Sequence, residues 1–108
     1  MTQFPCAHLG MDVELTDERE AHIATQHPDL LPDPQERIAE VLGDPDQVRR
    51  SSRFASTRLL SRWFGDVGGG KHVVVVVVHD APAAGRAWVV TAYIARRLSG
   101  GTLEWTRS

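Results

Sequence analysis

The chain has 108 residues, 42% of them apolar and 24% charged, which suits one soluble domain and is too little for two. Its longest purely apolar run, the six valines 73–78, falls far short of the roughly 20 residues of a membrane-spanning helix. A single cysteine, Cys6, excludes an internal disulfide and fits a reducing cytoplasm. The formal net charge of −2 conceals a division: residues 1–46 carry eleven acidic residues against two arginines (−9), and residues 47–108 carry three against ten basic ones (+7). A positive half suits a polyanion, and arginine, which supplies eleven of the twelve basic residues, matches phosphate oxygens in pairs.

Residues 1–10 lack a basic start and a long apolar stretch, so no signal peptide is expected; they read as a loosely ordered lead-in. Residues 11–15 alternate apolar and acidic side chains, as a short strand or an extended approach. Thr16 is a good helix N-cap, with Asp17 and Glu18 where the helix dipole favours anions. That helix should end near Gln26, because Pro28 disfavours helical geometry at His27. Asp33, Pro34 and Glu36 set up a second start, Ile38, Val41 and Leu42 form its apolar stripe, and Gly43 stops it. Leu30 and Leu31 are expected to plug the corner between the helices.

Strands follow, over residues 48–53, Thr57–Phe64, Lys71–His79 and 86–95, with a short edge strand over Thr102–Thr106. A glycine-rich turn spans residues 65–70, and a hairpin loop spans 80–85. Six consecutive valines indicate a strand buried on both faces, at the sheet centre. Strict alternation in the fourth strand places Trp88, Val90, Ala92 and Ile94 on one face and Val89, Thr91, Tyr93 and Ala95 on the other. The expected core joins Ile38, Val41, Leu42, Val74, Val76, Trp88, Val90 and Ile94. The fold class is α+β: two N-terminal helices on one face of a four- or five-stranded antiparallel meander, forming a single domain over 1–108.

Few residues carry chemistry. The segment 68–71 lacks the spacing of a phosphate-binding loop and precedes a strand. His22 and His27 lie about 140° apart around a helix, so they do not make a two-histidine zinc face. Cys6 and His8 supply only two ligands, no carboxylate pair faces a cleft, and no serine sits in a nucleophile elbow; neither metal nor cofactor is expected. What remains is histidine, tyrosine and arginine. Either of His22 and His27 is a candidate acid or base, or a structural histidine; His72 and His79 read as surface residues. Arg58 and Arg62 share a face of the second strand, and Thr91 and Tyr93 share a face of the fourth, with Arg97 beyond it. Such a helix-free face suits a phosphodiester, or is simply solvated.

The segments Leu15-Thr-Asp-Glu-Arg, His22-Ile with His27-Pro28, 44–51, 58–64, 71–76 and 89–97 resemble, in their order, the barnase–EndoU–colicin–RelE superfamily of small ribonuclease domains. The similarity is to its phage- and mobile-element-associated branch, and more loosely to RelE- and BrnT-type toxins. The resemblance implies metal-independent endoribonuclease activity, with the ribose 2′-hydroxyl attacking its own phosphate. It assigns His27 or His22 as acid/base, Arg58 as phosphate clamp, and Thr91 and Tyr93 to orient phosphate or relay a proton. Arg50, Arg62 and Arg97 would bind nucleic acid. Tyr93 can act as a base only where adjacent arginines lower its pKa. The implied partners are an RNA substrate and an antitoxin or immunity protein. The alternative is an RNA- or protein-binding domain that keeps the fold without catalysis.

Overall fold

The structure is a computed structural model that describes residues 2–28, 34–79 and 85–107. Expectations for Leu30, Leu31, Asp33 and the loop around Pro82 lie outside the described residues. Among the described residues seven strands and two helices follow one another as β1 (Thr2–Cys6), β2 (Met11–Leu15), α1 (Asp17–Gln26), α2 (Pro34–Gly43), β3 (Gln47–Arg50), β4 (Thr57–Phe64), β5 (Lys71–His79), β6 (Ala87–Ala95) and β7 (Thr102–Thr106). No helix among the described residues is long and apolar enough to cross a membrane.

The class is α+β, but the sheet is larger than expected and mixed. Its order is β1-β2-β6-β5-β4-β3-β7. The meander β3–β4–β5–β6 is antiparallel as expected, with the valine strand between β4 and β6. Two additions alter it. Residues 2–6, expected as a lead-in, form β1 and pair with β2, which joins β6 in parallel at Glu14 and Trp88. Phe4, Cys6, Val13 and Leu15 explain why: each is buried, so the N-terminal hairpin supplies core. β7 does not extend the meander past β6 but returns to pair with β3.

Thr16 caps α1 by accepting a hydrogen bond from the Arg19 backbone N–H at 3.2 Å. At the other end His27 leaves helical geometry at φ −133° while its N–H still reaches the Ile23 carbonyl, as the following proline demands. α1 buries Ile23 and touches β6, whereas α2 buries Ile38, Val41 and Leu42 and touches β1, β5 and β4. Both helices cover one face.

The valines on that face are Val73, Val75 and Val77, so the expected pairing of α2 with Val74 and Val76 is corrected by one residue. A bulge between Val76 and Val77 also breaks the alternation of β6. Ala87, Val89 and Ala92 therefore face the core, with Ile94 packed against it, while Trp88 and Val90 leave it half-buried. One extra residue reverses the facing of everything before it.

Part of the charge division is satisfied internally. Acidic groups of the first half pair with arginines of the second: Glu14 with Arg86 at 2.9 Å, Asp44 with Arg62 at 3.7 Å, and Asp44 and Asp46 with Arg107. Arg37 reverses the pattern on Asp66 at 2.7 Å. Cys6 acts as a buried apolar residue; burial pushes its thiol up against the opposing hydrogen bonds from the Leu9 and His8 backbones.

The sheet curls until its two ends meet. His8, in the β1–β2 turn, donates to Glu104 of β7 at 3.0 Å, and its ring lies 5.8 Å from that of Trp105. Arg58 and Arg50 also reach Glu104, at 3.0 and 3.9 Å. Partial burial raises the Glu104 carboxyl, but hydrogen bonds from His8 and Arg58 outweigh it and hold the group below its ordinary value. A depressed folded pKa contributes stability above the unfolded carboxylate value and loses it as pH falls through the folded one. Acidification below the ordinary carboxylate range should therefore free β7, read as early loss of its amide protection. Glu104→Gln should remove that pH dependence; protection of β7 that tracks the rest of the sheet would refute the latch.

Candidate nucleic-acid interface

Side chains opposite one another across antiparallel strands share a face. Arg58 stands opposite Val77, and Arg62 opposite Val73, both core valines. Arg50 stands opposite Arg58. All three arginines therefore project on the helix side, where Glu104 holds Arg58 and Arg50. Arg62 pairs with Asp44 and lies 5.4 Å from the Phe64 ring centre. Tyr93 stands opposite Val74, and Thr91 opposite Val76, on the other face. The expected constellation of Arg58 with Thr91 and Tyr93 does not form: the sheet separates clamp from tyrosine. Arg50 and Arg62 are removed from that face with it.

A different set converges on the helix-free face. Gln47, Ser61, Val74 and Tyr93 form one row across β3 to β6, and Arg49, Leu59, Val76 and Thr91 form the next. Over these rows passes the connection from β6 to β7, residues 96–101, because β7 must be reached across β5, β4 and β3. It lands through Gly100 and Gly101, at φ +83° and +72°. A Cβ at Gly101 would strike the Arg50 carbonyl, so this crossing requires glycine on both counts.

Between strap and sheet lies a cavity of about 60 Å³, lined by Arg49, Leu59, Ser61, Val74 and Tyr93 below and by Arg97, Leu98 and Ser99 on the strap side. At roughly 10–15 Å³ per water, it has space for a few waters. Arg49 is half-buried and donates from Nε to Gln47 at 3.0 Å. Among the described residues no carboxylate pairs with Arg49 or Arg97, unlike the arginines of the helix side. Two guanidinium groups beside a phenol and a hydroxyl have the chemistry to hold an anion.

His27 completes the group from the edge. Among the described residues β2 pairs with β6 at Trp88 alone, away from Tyr93, and the end of α1 places the His27 ring 6.1 Å from that of Tyr93, tilted by 43°. His22 is exposed one residue before the buried Ile23, and no ring contact joins it to Tyr93 among the described residues. Thr91 shares the face but not the cavity lining. Burial pushes the Tyr93 phenol above its ordinary value. The condition for Tyr93 to act as a base is thus not met, and the phenol is fitted to donate a hydrogen bond rather than accept a proton.

His72 and His79 are half-buried rather than surface residues, and the buried Nδ1 of His72 has no hydrogen-bond partner among the described residues. Arg49, Ser61 and the strap were not singled out from the sequence. Arg49 was accessible to it: Val48 is a core residue, so its neighbour must face away. Among the described residues no three His, Cys, Asp or Glu side chains gather to hold a metal ion. Comparison of the chain with protein-family models, curated proteins and solved structures found no match.

Proposed function

We propose that the helix-free face binds a phosphodiester of RNA and cleaves it by attack of the adjacent 2′-hydroxyl, in the manner of a small toxin- or phage-type endoribonuclease. The observation that carries this reading is the convergence of Arg49, Tyr93 and Arg97 around one cavity, with the His27 ring beside that of Tyr93. His27 takes the 2′-hydroxyl proton as the O2′–P bond forms. Arg49 and Arg97 offset the charge of the pentacoordinate phosphate. The neutral Tyr93 phenol donates toward the departing 5′-oxygen, which leaves with a proton as the P–O5′ bond breaks. A 2′,3′-cyclic phosphate and a 5′-hydroxyl result. The sequence resemblance implies the same reaction with Arg58 as the clamp, a role that this reading gives to Arg49 and Arg97.

The test is cleavage of a labelled single-stranded RNA. Activity should persist in EDTA, and a 2′-deoxy substitution at the cleaved position should block it. Arg97→Ala should lower the rate by roughly 100-fold, the scale of losing one preorganised charge stabiliser. Arg50→Ala, on the opposite face, should leave it unchanged. Complete loss of activity with chelator, restored by a divalent ion, would remove this mechanism. Retained binding without cleavage would leave an RNA-binding domain.

A further inference from the structure

Trp63 shares the helix-free face but stands outside the cavity, one same-face position along β4 from Ser61 and therefore about 7 Å from it. Its register partner is His72, and the two rings meet edge-on, 5.0 Å apart at 71°. The other support is Gly70, at φ +104°: the six-membered ring of Trp63 occupies the place where a Cβ would stand. The Trp63 backbone N–H donates to Asp46 at 2.8 Å. The indole is thus fixed in position and yet 48% exposed.

Its surroundings distinguish it from an apolar docking patch. Its neighbours in register are Ser61, His72 and, across from Ser61, Gln47. The exposed Phe54 lies before the opposite end of β4, and Leu103 and Trp105 belong to β7. An immobilised aromatic in a polar setting, on the same face of the sheet as Arg49, has the form of a base-stacking platform.

We propose that Trp63, steadied by His72 and Gly70, stacks the nucleobase adjoining the phosphate held by Arg49 and Arg97, so that the site takes single-stranded RNA with an unpaired base at that position. This rests on the phosphodiester reading above. Base stacking on an aromatic face is sequence-tolerant and requires a base freed from its helix.

The test uses three non-cleavable 2′-O-methyl probes of equal length: a single strand, its duplex and an abasic strand. Affinities are read by fluorescence anisotropy. Trp63→Ala should weaken single-strand binding by roughly tenfold, Trp63→Phe should retain most of it, and neither should alter the weaker binding of the abasic strand. Wild-type protein should prefer the single strand to the duplex. Equal losses on the base-bearing and abasic strands, or no loss on either, would overturn the stacking role alone. So would self-association that Trp63→Ala abolishes while oligonucleotide affinity stays the same. Wild-type protein that binds no probe would overturn the phosphodiester reading together with it.

Discussion

His27→Ala is expected to slow single-turnover RNA cleavage by roughly 10²- to 10⁴-fold, the range for removing a positioned acid or base. RNA affinity should change little, because the arginines that hold the phosphate are untouched. His27 follows the last turn of α1 and its truncation keeps the backbone N–H bond to the Ile23 carbonyl, so the fold should survive. Tyr93→Phe should also impair cleavage, with only an oxygen lost from the ring that faces His27. The pH profile separates the two roles. Burial raises the Tyr93 phenol, so it stays protonated to higher pH than an exposed tyrosine. Any alkaline decline that reports Tyr93 should lie above the ordinary tyrosine range and vanish in Tyr93→Phe. Cleavage that is unchanged in both variants would show that the cavity is not the reacting centre.

Leu42→Ala should destabilise the protein by about 2–4 kcal/mol, the cost of a buried leucine lost with incomplete collapse of its site. Leu42 is fully buried on a helix that touches β1, β4 and β5 at once. Few neighbours there can move into the space without disturbing two strands. Val76→Ala, half-buried on the opposite face, should cost clearly less. Urea midpoints at constant slope measure both. A near-neutral Leu42→Ala would mean that α2 does not seat on the sheet as described.

The elements most legible in the sequence were those whose signals are local. Thr16 and the His27–Pro28 pair delimit α1, and the Ile38, Val41 and Leu42 stripe is buried as the helical period requires. The bounds of β4, β5 and β7 follow from their flanking glycines and polar turns. The site was less legible because it depends on parity. Period-2 reasoning locates which residues share a strand face, but not which face the helices choose. A run of valines offers no polar side to decide the question. The bulge in β6 then changes parity midway, so Val89 joins Ala92 in the core and Tyr93 falls opposite Val74. The placement of β7 beside β3 depends on a crossing of the sheet that no local pattern encodes. With it came the strap, the cavity and the capture of Arg58 by Glu104. His27 was legible for the opposite reason: the proline after it fixes where the helix stops, beside Tyr93 of β6.

The valine strand has a consequence for how the sheet finds its alignment. In most half-buried strands a slip by one residue turns apolar side chains to water, which penalises the error. Val73–Val78 escapes that penalty, since every shift that stays within the run brings valine to valine's place on both faces. The strand that fills the centre of the core is thus silent about its own register. What indexes it stands at the ends of the run. Trp63 meets His72 across the β4–β5 pair, its ring resting against Gly70. Lys71 donates to the Gly68 carbonyl in the turn, and the His79 N–H reaches Ser56 at the far end. A misaligned hairpin would keep its apolar contacts and lose only these, so the discrimination between correct and slipped sheets rests on a few polar and aromatic contacts at its margins.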